Sequence, residues 1–231
     1  MTARSVAIVG AGLVGSGWAL VFARAGYSVR AFDHSAEVRS GILPWARQSL
    51  GELTAAGLVD QPEAVLARIS VRDRIADALD GASYVQESVY ETVQAKTEIS
   101  QAIDALIGHD CIVGSSSSGI PASKFTEGCS NRERFLIAHP VNPPHLVPVV
   151  ELVPAPWTAP EAMERASELM REVKQVPVHL NKEIDGFVLN RLQGVLLNEA
   201  WALYEDGVAS LADIDATIAH GLGLRWSFMG P

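Results

Sequence analysis

The chain has 231 residues, 48% of them hydrophobic and 19% charged, enough apolar material for one large or two smaller soluble domains. Its formal net charge of −9 excludes general binding to nucleic acid or to an anionic membrane, whose phosphates it would repel. The first apolar run starts within about five residues of the N-terminus and no unbroken run of about eighteen apolar residues occurs, so neither a signal peptide nor a membrane span is expected, and the reading is cytoplasmic. Cys111 and Cys129 cannot build a disulfide framework. Cys111 opens the apolar run Cys-Ile-Val and reads as a buried free thiol, and no metal is assigned.

Val6 to Val9 form a short β-branched strand that must turn at Gly10, Gly12 and Gly15 into the apolar helix Leu13 to Ala25. This is the glycine spacing of a dinucleotide-binding βαβ unit. Gly10 allows the tight turn and Gly12 lets backbone N–H groups approach a diphosphate. Gly15, with Gly17, lets the helix lie close to the sheet. The diphosphate then rests on the helix N-terminus, with Leu13 and Val14 in the first turn among the cofactor-binding residues. Asp33 ends the second strand, where a carboxylate accepts hydrogen bonds from the adenosine ribose hydroxyls and repels a 2′-phosphate. NAD is therefore expected rather than NADP.

Ser35 to Ala67 reads as two helices, with Pro44 near a start or kink, Gly57 as a break and Pro62 near the second start. Strands follow at Ile69 to Val71, Ser83 to about Glu87, Cys111 to Gly114, Arg134 to His139, Val149 to Val153 and Val176 to Leu180. Helices at Ile75 to Leu79, Thr92 to Ile107 and Pro160 to Lys174 separate most of them. The alternation predicts an α/β fold, a doubly wound and mainly parallel Rossmann sheet over 1–184. Ligands of such sheets bind beyond the carboxyl ends of the strands, where Asp33, Glu87, Ser115 to Ser118 and His139 fall. From 185 to 231 the chain reads as the start of an all-α C-terminal domain for substrate binding and dimerisation. Its helix Phe187 to Tyr204 is apolar on several sides, and Ser210 caps a second helix running to His220. That domain reads as cut short at Pro231, so its apolar helix calls for cover from a second subunit, as in a homodimer, or from further helices.

His139 leaves a buried strand into a loop of Pro140, Pro143, Pro144 and Pro148, and Glu151 lies in the next strand. Oxidising a secondary alcohol requires a base near pH 7, and imidazole is suited to that task, with a carboxylate on its second nitrogen to fix the tautomer. His145 competes for the role. Ser115 to Ser118 also fit a simple turn after a strand, and Lys96 a solvated helix charge. The remaining histidines read as surface or edge residues.

The fingerprint, the run His139-Pro-Val-Asn-Pro-Pro144 and the run Lys182 to Gln193 together resemble the 3-hydroxyacyl-CoA dehydrogenase superfamily, most closely its lambda-crystallin and L-gulonate 3-dehydrogenase branch. The resemblance covers essentially the whole chain. It implies an NAD-dependent dehydrogenase with His139 as general base, Glu151 as its partner, and Ser118 and Asn190 binding substrate oxygen. It also implies Glu87 and Lys96 near the nicotinamide ribose. The helical stretch after Asp33 offers few cations and interleaves Glu37, Glu52, Asp60 and Glu63, which favours a small free hydroxy acid over a coenzyme A thioester. A nucleotide-binding structural protein without turnover is the reading from another class.

Overall fold

The computed structural model describes residues 4–231. Two compact units result, one ending at Phe187 and the other comprising Val188–Pro231. The first is built on an eight-stranded sheet in the order β3-β2-β1-β4-β5-β6-β7-β8. Its strands are β1 Ser5–Val9, β2 Ser28–Phe32, β3 Ile69–Val71, β4 Tyr84–Glu87, β5 Ile112–Ser115, β6 Phe135–Pro140, β7 Val149–Pro154 and β8 Val176–His179. All neighbouring pairs are parallel except β6 and β7.

Alternation along β1 shows how the layers form. Val6 and Ile8 face one side, where they join a core with Trp18, Phe22, Leu50 and Met170, while Ala7 and Val9 face the other with Val85, Ile103 and Val113. On the first side lie α1 Leu13–Arg24, α2 Ala36–Ala55 and α7 Pro160–Glu172. α1 is buried continuously from Gly15 to Ala23, which its all-round apolar sequence requires. α2 instead buries one stripe, Ile42, Ala46, Ser49, Leu50 and Leu53. Pro44 lies inside α2 and neither starts nor ends it; the buried stripe on both sides of the proline holds the helix through the lost hydrogen bond. Two short helices follow, α3 Pro62–Leu66 and α4 Ile75–Leu79, and α5 Val93–Asp104 covers the second face of the sheet. A further short helix that the sequence pattern did not announce, α6 Ser123–Thr126, precedes β6. Cys111 and Cys129 are free and buried, and burial pushes their thiols up to about 12 and about 11 respectively.

The second unit contains α8 Leu189–Glu205, α9 Leu211–Thr217, a π turn Ile218–Leu222 and α10 Gly223–Trp226. The long helix expected from Phe187 therefore starts two residues later. Phe187 is at φ 51°, outside the helical region, after Gly186 at φ 73°. No residue of this unit is buried, and Leu192, Val195, Leu197 and Trp201 are exposed on α8. No described helix is long and apolar enough to cross a membrane.

Candidate active site

The three fingerprint glycines are needed for three different reasons. Gly10 has φ +88°, and a Cβ there would lie 2.6 Å from the Ser88 carbonyl; a Cβ on Gly15 would lie 1.9 Å from the Gly10 oxygen. Both are demanded by the fold. Gly12 is not, because its φ of −63° suits any residue and an added Cβ meets nothing within 4 Å. The open space lies over the first turn of α1, whose amides have no intrahelical acceptor, and Gly12 offers no side-chain cap. Leu13 is exposed there and Val14 half-buried. Such a cradle fits the diphosphate of NAD. Gly17 differs from expectation, since its missing side chain makes room for Pro144, 2.9 Å from where a Cβ would stand, and not for the sheet.

Asp33 is buried and braces this turn, with Oδ2 accepting the Ala11 N–H at 2.9 Å and Oδ1 the Ser35 N–H at 2.9 Å. His34 Nδ1 stands 3.3 Å from the same Oδ1, and Oδ2 keeps a second lone pair.

The antiparallel step from β6 to β7 places His139 directly opposite Glu151. Their side chains meet at 2.8 Å, His139 Nδ1 to Glu151 Oε2, with the residues only 6% and 2% exposed. The Phe187 ring, fully buried, lies against the imidazole at 5.6 Å between centroids. Sequence reasoning missed this contact; a bulky residue at positive φ after glycine leaves no periodic signature. His145 does not join the pair. It sits edge-on to Trp45 at 5.7 Å, and burial, helped by the Arg24 charge, lowers its pKa.

Beyond β4 and β5 lies a buried ionic cluster. Lys96 on α5 is fully buried, which corrects the solvated reading, and its Nζ donates to both oxygens of Glu87 at 3.1 Å. Glu87 also accepts hydrogen bonds from the Val89 N–H at 2.6 Å and from the Ser115 hydroxyl. Glu91, which sequence reasoning passed over, is 3.5 Å from the same ammonium. Its Oε1 accepts the Ser117 hydroxyl at 2.6 Å and the N–H groups of Ser118 at 2.9 Å and Gly119 at 3.1 Å. Burial alone would raise the Glu91 pKa, but the Ser117 hydrogen bond, the Lys96 charge and these N–H groups together lower it. Ser117 is buried in this network and Ser118 is exposed on the same turn, held by its backbone. Asn190 is the second residue of α8, in the other unit. Among the described residues no group of three or more His, Cys, Asp or Glu side chains could hold a metal.

Comparison with known proteins shows the family. The family profile "3-hydroxyacyl-CoA dehydrogenase, NAD binding domain" matches residues 5–184, and the C-terminal domain profile of the same family matches 186–231. The lambda-crystallin homolog of Rattus norvegicus is 40% identical over 232 residues, covering 99% of this chain and 73% of that protein. An L-carnitine dehydrogenase of Pseudomonas sp is 37% identical, covering 98% and 70%. The solved NAD+-dependent dismutase FHMPC 5-dehydrogenase superimposes with a TM-score of 0.90 at 35% identity, covering 100% of this chain and 74% of that one.

Two outcomes follow from the site. Gly12→Ala should fold normally yet lose NADH binding by at least about tenfold, because its methyl fills only the ligand's space; NADH fluorescence titration beside a melting curve measures both. Glu91 contributes stability above the usual carboxylate range, and that contribution disappears as pH falls through its lowered folded pKa. Glu91→Gln should therefore melt below the parent at pH 7, with the gap closing toward pH 3, as melting temperatures across that range would record.

Proposed function

Because the chain belongs to the 3-hydroxyacyl-CoA dehydrogenase family, and so is an NAD-dependent oxidoreductase acting on CH–OH groups, we propose that its substrate is a small free L-3-hydroxy acid of the gulonate kind, oxidised at the 3-hydroxyl. The observation that carries the chemistry is the buried His139–Glu151 pair at the carboxyl end of β6. Glu151 accepts a hydrogen bond from Nδ1–H, which leaves Nε2 unprotonated to take the hydroxyl proton. The imidazolium that forms is stabilised by the same carboxylate. NAD, when bound, supplies the hydride acceptor. Gly10, Gly12, Leu13, Val14 and Gly15 hold its diphosphate and Asp33 its adenosine ribose, while Glu87 and Lys96 stand toward the nicotinamide side. From the family resemblance, Ser118 and Asn190 bind the substrate oxygen.

The charge pattern supports a free acid. The cations of α2 are engaged, Arg47 with Glu63 at 3.1 Å and Arg39 with Asp73 at 3.3 Å, so few remain to meet the phosphates of coenzyme A. L-carnitine, named for one relative, is likewise a free hydroxy acid. An acyl-CoA substrate has the family description in its favour, and turnover assays with matched acids and thioesters decide between them. Retention of the histidine–glutamate pair speaks against a purely structural, crystallin-like role.

Under this reading His139→Gln lowers kcat by roughly 10² to 10⁴ with NADH affinity nearly unchanged, and Glu151→Gln is also damaging. A fully active His139→Gln enzyme would contradict it. The second unit is the proposed site of homodimerisation. Leu192, Val195, Leu197 and Trp201 are exposed on α8, and burying side chains of this size is worth about 1.5 to 3 kcal/mol each. Light scattering should report a dimer, and a monomer at micromolar concentration would refute this part.

A further inference from the structure

The far end of α1 borders a cavity of about 650 Å³ that the proposed chemistry does not use. Its wall contains Arg24, the turn after α2, the proline loop between β6 and β7, and the corner between α7 and β8. At about 1.5 Å per residue, the 12-residue α1 puts this end about 17 Å from the glycine turn.

Positive charge collects here in a chain whose formal net charge is −9. Arg24 donates to the carbonyls of His145 at 3.1 Å and Leu58 at 3.3 Å, and Arg68 to that of Ala23 at 3.2 Å. Carbonyls satisfy N–H groups but leave the guanidinium charges standing. Lys174 lies in the same wall, exposed, and is held at φ +66°, a region that side-chain-bearing residues seldom occupy. Among the described residues none of these three cations forms an ion pair with a carboxylate. Of the two wall carboxylates, Glu172 is already held by Arg4 at 2.7 Å, which leaves Asp60 against three cations. Gln175, also in the wall, is 8% exposed and its Oε1 has no hydrogen-bond partner among the described residues. Buried polar atoms of this kind need an explanation. Leu58 and Leu146, both exposed, give the wall apolar surface above the buried Val21, Val59, Val65 and Val173.

We propose that this cavity is a second ligand site, taking a small organic anion with an apolar body and a single phosphate or carboxylate head that Arg24, Arg68 and Lys174 recognise. The head meets the excess of cations and the body covers Leu58 and Leu146. This site is separate from the dinucleotide turn and from His139.

The test is calorimetric titration of the NADH-saturated protein with octyl phosphate, octanoate and octanol. One-to-one saturable binding of either anion is expected, with octanol at least tenfold weaker, and the tighter of the two anions identifies the head group. Lys174→Glu should weaken anion binding at least tenfold with NADH affinity unchanged. Lys174→Gly, which relieves the backbone conformation, should bind the anion more weakly than the parent while melting no lower. Absence of saturable binding by both anions, octanol binding as tight as theirs, or parental affinity in both Lys174 variants would each overturn the proposal.

Discussion

An ionised carboxylate inside a sheet costs several kcal/mol unless a partner and hydrogen bonds compensate it, and Glu151 is 2% exposed. Its partner is set by chain direction. Had β7 followed β6 in parallel, a crossover would have carried Glu151 out of reach; the one antiparallel step in the sheet puts it opposite His139. The proline loop that makes this reversal is packed against α1 at Gly17, so the helix that follows the glycine turn also supports the connection between His139 and Glu151. The glycine turn and the His139–Glu151 pair thus share one packing arrangement.

The same logic of compensated burial governs the second cluster. Lys96 is fully buried because Glu87 and Glu91 surround its ammonium, and Glu91 in turn gathers the N–H groups of the serine turn after β5. Deleting Lys96 would leave Glu87 buried without its cation, and the turn bearing Ser118 depends on Glu91 in the loop between β4 and α5.

Much of this was legible in the chain. The β1 turn and α1 carry a signal that is local, since strand, glycine spacing and helix all lie within one βαβ unit and agree with one another. The His139 and Glu151 segments could be named from chemistry and resemblance, but their meeting depends on strand register, which spacing does not encode. Lys96 was ambiguous for the same reason: a lysine on an amphipathic helix looks solvated until the strand-end glutamates beneath it are placed. Glu91 acts through one oxygen on backbone amides distant in sequence, and Phe187 through a positive φ, and neither leaves a pattern in composition or period. Pro44 was ambiguous between a helix start and a kink, because local helix-breaking chemistry competes with the buried stripe that carries α2 through it.

The central claim is that Glu151 holds His139 in the tautomer with Nδ1 protonated and Nε2 available to substrate. The direct measurement is 15N NMR of the His139 imidazole in the NADH-bound protein near neutral pH, assigned by comparison with His139→Gln. The account expects the proton of the neutral ring on Nδ1 and loss of that tautomeric bias in Glu151→Gln. A ring protonated on Nε2 in the parent protein, or one whose tautomer is indifferent to Glu151, would contradict it.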